Sequence, residues 1–360
     1  ALHQFLPDFN AGDAIGDHVL RIRATLREAG YDSEIYADDI KPAVAHLARH
    51  YREFDPARGE DTWLLYHLST GSPMADWVAD ASVPMAVDYH NITPARYFGR
   101  WMPDAAERSR AAREEMRRLA PHSRFALADS AYNAEELTAE GYQDVSVLPI
   151  LIDFTDYDAP PDPRAGARLE RLAAGGGARW LFVGRFVSNK GQHDLIAAFA
   201  AYRRLFDPRA RLAIVGHWTL GRYVADLERM ADDLGVAGAV ELPGAVPFPE
   251  LVAEYRAADV YVSLSEHEGF CVPVLEAMHF GVPVVALARG AVPATVGNGG
   301  LLLETKEPLA VAAAVHRVLT ETPRRERLLA AGRGRVAHFS LENNRRRLLD
   351  AVGPRVGAVA

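Results

Sequence analysis

Two periodicities alternate along the chain. Short apolar runs bounded by Gly, Pro, Asn and Asp read as buried strands, and longer stretches with apolar residues three and four apart read as helices. In the first half, strands are predicted near 1–6, 33–37, 62–68, 84–88, 124–128 and 144–148. Helices fall near 14–29, 41–50, 73–80, 104–119 and 131–140. Residues 153–178 break the rhythm with clustered Pro, Asp and Gly and read as a linker. A second series follows, with strands near 179–184, 211–215, 239–242, 259–264, 283–287 and 300–303. Strand and helix alternating at this spacing predict parallel sheets covered on both faces. The expected architecture is therefore α/β, with two doubly wound Rossmann-like domains. Their spans are 1–155 and 179–340, with 156–178 as the connection. The stretch 341–352, L-E-N-N-R-R-R-L-L-D-A-V, is amphipathic and needs a surface to pack on.

Composition narrows the class. A chain of 360 residues is long for one core. Hydrophobic residues make up 49% and charged residues 24%, ordinary for a globular enzyme. A formal net charge of −8 gives no overall basic footprint for nucleic acid. The single cysteine, Cys271, allows no internal disulfide and fits a reducing cytosol. No apolar run approaches the ~18 residues of a membrane span, and no signal peptide is expected, since the chain opens on A-L-H-Q-F-L.

The stretch richest in chemistry is S-E-H-E-G-F-C-V-P-V-L-E-A-M, residues 265–278. Val260–Leu264 read as a buried strand that delivers Glu268 into a loop. Pro273 suits a first helical turn and Gly281 a helix end. Helical side chains lean towards the N-terminus, so Glu276 points back at the loop holding Glu268. The helix amides near Gly269, Phe270, Cys271 and Val272 can meet an anion. Upstream, the strand W-L-F-V leads to Gly184, and Arg185 and Lys190 flank the turn before a helix. A guanidinium fork and an ammonium suit a diphosphate.

E-H-E-G-F-C-V-P-V-L-E resembles the E-x7-E signature of the retaining glycosyltransferases of family 4, which have the GT-B fold. Residues 183–191, V-G-R-F-V-S-N-K-G, are similar to that family's Arg…Lys phosphate loop, and 243–262 and 281–303 to the segments flanking its signature. The resemblance is strong over 178–340. It implies two domains facing across a cleft, with the final helix, within 341–360, crossing back to the first. It also implies transfer of a hexose with retention from a nucleotide-diphosphate sugar to a hydroxyl, without a metal. GDP-mannose is the first choice of donor and a UDP-hexose the second. The acceptor is a glycan, a lipid-linked sugar or a small metabolite. A sugar-nucleotide epimerase on the same architecture and a catalytically silent nucleotide-sugar binder are the alternatives.

The same resemblance assigns roles. Arg185 and Lys190 take the diphosphate, Glu276 the ribose hydroxyls, and Glu268 the transferred sugar. Val246 and Phe248 border the nucleobase, with Gly216 at the same edge beside His217, which also reads as a strand-end turn residue. The first domain supplies the acceptor side through Gly12, Asp13 and Gly16, with an N-cap as the equal reading of Asp13. The family's Gly-Gly pair is replaced there by spaced glycines. His90, in Y-H-N-I-T-P, positions groups near the anomeric centre, and His67, in Y-H-L-S-T-G-S, has the same strand-end placement. Where the family has Pro-Glu, this chain has Pro293-Ala294.

Other signals are set aside. His46 and His50 lack a third metal ligand, and Asp156-Tyr157-Asp158 lies in the Pro-rich connection rather than after a strand. The Arg-rich segment 96–124 reads as a solvated face, with at most peripheral membrane contact.

Overall fold

A computed structural model describes residues 1–10, 12, 14–56, 61–99, 101–218 and 221–357. The chain divides into two compact units. One comprises Ala1–Arg96, Pro103–Ile152 and Phe339–Ala360, the other Tyr97–Met102 and Asp153–His338.

The first unit contains β1 (Leu2–Phe9), α1 (Ala14–Glu28), β2 (Ile35–Ile40), β3 (Arg49–His50), β4 (Trp63–Leu68) and α2 (Met74–Asp80). It continues through β5 (Met85–Tyr89), α3 (Pro103–Leu119), β6 (Ser123–Ala128), α4 (Ala131–Ala139) and β7 (Val145–Val147). All seven strands are parallel in the order β3-β2-β1-β4-β5-β6-β7. The order reverses direction between β1 and β4, so the loops after these strands diverge and leave a crevice at their carboxyl ends.

The stretch expected as a helix over 41–50 is instead a 3₁₀ turn, Pro42–Leu47, followed by β3. Pro42 starts the turn without donating a backbone hydrogen bond, and Arg49 and His50 pair with Tyr36 and Ala37. Completing the edge of the sheet wins over local helix propensity here.

The second unit contains α5 (Pro163–Ala174), β8 (Arg179–Val183), α6 (Gln192–Leu205), β9 (Arg211–Val215), α7 (Gly221–Asp233), β10 (Val240–Gly244) and α8 (Phe248–Ala257). Then come β11 (Val260–Ser263), α9 (Val272–His279), β12 (Val284–Leu287), α10 (Val292–Val296), β13 (Gly300–Leu303), α11 (Pro308–Thr320) and α12 (Thr322–His338). Its six strands are parallel in the order β10-β9-β8-β11-β12-β13, with the reversal between β8 and β11. Trp180, Phe182, Phe199, Val262 and Val315 fill its main core.

The connecting segment is not a free linker. Ala165 and Leu169 of α5 pack on Ala253 of α8. Arg168 bonds Glu241 and Glu254, and the buried Arg179 guanidinium also bonds Glu254, at 2.5 Å. The segment is thereby part of the second unit.

The last helix, α13 (Leu341–Val356), belongs to the first unit. Ser340 accepts from the Asn343 amide at its N-cap. Leu348 and Val352 are fully buried in one cluster with Leu2, Ile22, Leu127 and Leu151. Burying two such side chains contributes roughly 3–6 kcal/mol before entropy. Asn344 locks the helix by donating to the Ile150 carbonyl.

Candidate functional site

The phosphate loop and the signature loop follow neighbouring strands, β8 and β11, at the switch point of the second sheet. They are bolted together. Asn189 Nδ2 donates to the His267 carbonyl, and the Glu266 amide donates to the Asn189 carbonyl at 2.7 Å. Gly191 sits in the left-handed region with φ +66, and a Cβ there would lie 2.5 Å from the Leu264 carbonyl oxygen. Only glycine lets the two loops approach this closely.

That approach brings Lys190 Nζ to 2.7 Å from Glu268 Oε1. Both groups are largely buried, at 18% and 10% side-chain exposure. Glu268 is held from behind, since its carbonyl accepts from the Ala291 amide at 3.0 Å. Arg185 is exposed beside the same turn, with its carbonyl accepting from Gln192 Nε2. Gly184 and Gly216 lie at adjacent strand ends, joined through the Gly184 amide on Val215 and the Gly216 amide on Gly244. Val246 is half-buried and Phe248 exposed at the start of α8.

Cys271 is the N-cap of α9 and is left-handed, φ 72 and ψ 64. This is an uncommon conformation for a side-chain-bearing residue. It turns the chain from Gly269 and Phe270 into the helix. Thr295 Oγ1 fixes that turn by donating to the Phe270 carbonyl. Burial raises the Cys271 thiol well above its ordinary pKa, so it stays a packed, protonated thiol. Val272 opens the first turn of α9; Pro273 has no N–H to offer there, and the Val274 amide bonds the Cys271 carbonyl at 3.3 Å.

Glu276 is buried on α9 with both carboxylate oxygens bonded. Oε1 accepts from the Tyr157 hydroxyl and Oε2 from the Tyr255 hydroxyl, each at 2.5 Å. Tyr255 keeps its proton, because burial and the Glu276 charge push its pKa far up. From sequence, Tyr157 reads only as part of the connection. A contact spanning 119 residues leaves no local signal.

In the first unit, His67 and His90 stand at the ends of β4 and β5, as their placement implied. Their rings stack 5.1 Å apart at 7°. Gln4 Nε2 donates to the Val19 carbonyl, which turns its Oε1 towards His67 Nε2 at 3.0 Å. His67 Nε2 therefore carries the proton, and its bare Nδ1 accepts from His90 Nε2 at 2.8 Å. His90 Nδ1 meets Asp129 Oδ1 at 2.9 Å, with a single proton between them. Burial lowers the His67 pKa well below its ordinary value and raises that of Asp129. Burial would also raise Asp88, but the neighbouring His90 and the bond from His18 carry it below the carboxylate range. With both ring nitrogens engaged, His90 is suited to positioning and not to nucleophilic attack. Gln4, His18, Asp88 and Asp129 were not singled out from sequence.

His18, Asp88, His90 and Asp129 each bring one potential metal-ligand atom within 4.8 Å of the others. The Leu151 amide donates to His18 Nδ1, so the His18 proton sits on Nε2, aimed at Asp88 at 3.2 Å. That nitrogen has no lone pair to offer, and as arranged the set does not fit a four-ligand cation. Gly12 is left-handed and exposed, and Gly16 is buried in α1. Asp13 lies outside the described residues.

Several expectations that were set aside meet plain structural partners. His50 caps the 3₁₀ turn Tyr51–Glu53 rather than pairing with His46. Arg113 bonds Glu136, and Arg117 bonds Glu140 and Glu114, so these two arginines of the Arg-rich segment are paired within the unit. Among the described residues no helix is long and apolar enough to cross a membrane.

Comparison with known proteins bears on this geometry. The family model described as glycosyl transferases group 1 matches residues 170–335, which hold Arg185, Lys190, Glu268 and Glu276. A D-inositol 3-phosphate glycosyltransferase of Geodermatophilus obscurus is 32% identical over 313 residues, 83% of this chain and 67% of the relative. The chain belongs to the group 1 glycosyltransferases, the retaining family 4 with the GT-B fold. A second family member, the GDP-mannose-dependent α-(1-6)-phosphatidylinositol monomannoside mannosyltransferase of Mycolicibacterium smegmatis, is 36% identical over 205 residues. That match covers 54% of this chain and 51% of the relative. The chain spans about half the length of the curated relatives it matches first. The fold extends throughout: Anabaena Alr3699/HepE, solved with UDP-glucose, superposes with a TM-score of 0.76 at 17% identity. The superposition covers 98% of this chain and 99% of that one.

Proposed function

We propose that this protein is a retaining glycosyltransferase that moves a hexose from a nucleotide-diphosphate sugar to a hydroxyl acceptor. The observation that carries the reading is the Lys190–Glu268 pair in the loops after the neighbouring strands β8 and β11, with the tyrosine-held Glu276 on α9, the helix that follows β11 in the same unit. Departure of the nucleoside diphosphate leaves positive charge at the anomeric carbon and negative charge on the phosphates. Lys190, Arg185 and the amides opening α9 stabilise the phosphate charge and make a metal unnecessary. Glu268 holds hydroxyls of the sugar and Glu276 those of the ribose, with Val246 and Phe248 beside the base. His67 and His90 of the first unit serve as positioning groups. The acceptor hydroxyl attacks from the side the diphosphate leaves, and the departing phosphate takes its proton.

GDP-mannose is the proposed donor, supported by the mannosyltransferase relative, which is named as GDP-mannose-dependent and is 36% identical over 205 residues. The relatives named for D-inositol 3-phosphate point to a polyol or inositol-containing acceptor. A thermal-shift screen with GDP, UDP, ADP and dTDP tests the donor class, with GDP expected to stabilise most. The product's anomeric configuration, read by NMR, tests retention. Epimerised nucleotide sugar formed without acceptor would favour the epimerase alternative. Donor binding with no turnover across a broad acceptor panel would favour a silent binder.

A further inference from the structure

Glu276 is a flexible side chain on an eight-residue helix, and fixing such a chain costs rotamer entropy. The two tyrosine hydroxyls pin it from opposite sides. Tyr255 comes from α8, where its fully buried ring stacks on Phe280 at 5.2 Å. Tyr157 comes from the 3₁₀ turn Phe154–Asp158, capped by Asp153, whose Oδ1 accepts from the Thr155 amide. The Tyr157 ring meets Phe248 edge-on at 5.1 Å and Phe280 at 6.1 Å. The turn is fastened by Phe154 stacked on His279 at 5.4 Å. Tyr157 thus joins the residue beside the proposed base site, Phe248, to the carboxylate proposed for the ribose.

We infer that Tyr157 is a donor-positioning residue that presets the Glu276 carboxylate to receive the ribose hydroxyls. An ionised carboxylate accepts about four hydrogen bonds, so two tyrosines use half of its capacity. They hold its plane and leave the ligand no reorganisation to drive on binding. Phenylalanine keeps the ring and removes the hydroxyl that donates to Glu276. The inference rests on the donor reading of Glu276.

The test measures affinities of the full chain for GDP, 2′,3′-dideoxy-GDP and pyrophosphate by calorimetry, in wild type and Tyr157→Phe. Wild type is expected to prefer GDP over the dideoxy analogue by about a hundredfold. Tyr157→Phe is expected to cut that ratio about tenfold, with pyrophosphate affinity and melting temperature nearly unchanged. A merely structural Tyr157 would move all three affinities together. A discrimination ratio that survives in Tyr157→Phe overturns the role of Tyr157 and leaves Glu276 as the ribose ligand. Tighter GDP binding by the variant also overturns it, because the hydroxyl would then be competing with ribose. A wild type that fails to distinguish the two nucleotides overturns the Glu276 reading and this inference with it.

Discussion

Replacing Lys190 by Met removes the cation from a close ion pair and leaves Glu268 charged, with a side chain only 10% exposed. At 2.7 Å and an effective dielectric of about 20, the gross attraction is about 6 kcal/mol. Most of it is offset by desolvation of both partners, and the partial exposure of the pair lowers the cost further. Stranding the carboxylate should cost about 2 kcal/mol. For a unit of this size that lowers Tm by roughly 4–8 °C. Turnover should fall about 10²–10³-fold, the usual loss when one preorganised group is removed from a developing charge. The double variant Lys190→Met/Glu268→Gln separates the two effects, since it strands no charge. It should regain most of the lost Tm while turnover stays low. The assays are calorimetric unfolding and release of nucleoside diphosphate from donor plus acceptor. If the double variant recovers turnover along with Tm, Lys190 is a structural partner of Glu268 and the phosphate role is refuted.

Four other outcomes are expected. Glu254→Ala leaves the buried Arg179 guanidinium without its 2.5 Å partner and removes the α8 carboxylate that Arg168 of α5 bonds, costing about 3–5 kcal/mol by denaturant unfolding. Gly290→Ala places a Cβ 2.6 Å from the Glu268 carbonyl oxygen at φ +56; it should displace that loop and weaken donor binding at least tenfold by calorimetry. His67 is held neutral by burial but protonates in the unfolded chain near pH 6.5, so stability should fall as pH drops below about 6.5, by up to about 1.4 kcal/mol per pH unit. In His67→Asn that limb, measured as unfolding free energy between pH 5 and 7.5, should flatten by one proton. Asp129 acts with the opposite sign at lower pH, because its raised pKa makes the folded state the better proton binder just above the ordinary carboxylate value. Leu348→Ala in α13 should cost about 2–5 kcal/mol, through a cavity against Leu2 and Ile22.

Much of the fold was legible because buried parallel strands read as apolar runs. The run Val260–Leu264 gives β11 to within a residue, and the alternation yields both parallel sheets. Pro42 and the pairing of Arg49 with Tyr36 explain why 41–50 is not the helix its pattern suggests, since an edge partner is invisible to periodicity. Glu268, Arg185 and Lys190 were legible in the loops after strands, and Glu276 on the helix that leans back towards them. Their partners were not. Tyr157 sits in a Pro-rich stretch whose composition suggests a tether, and its packing depends on α8 and α9, far along the chain. Gln4, His18, Asp88 and Asp129 come from separate elements of the first unit and meet only once the sheet has formed. The segment Tyr97–Met102 likewise groups with the second unit through contacts such as Trp101 with Asp226 and Tyr223.

The central claim is that the second unit grips an activated sugar by its pyrophosphate and ribose. The most direct measurement is a crystal structure of the protein soaked with GDP. The account predicts phosphate density within hydrogen-bond reach of Lys190 and Arg185, and ribose hydroxyls on Glu276. Density lodged elsewhere, with the Lys190–Glu268 pair and the Glu276 carboxylate untouched, would contradict it.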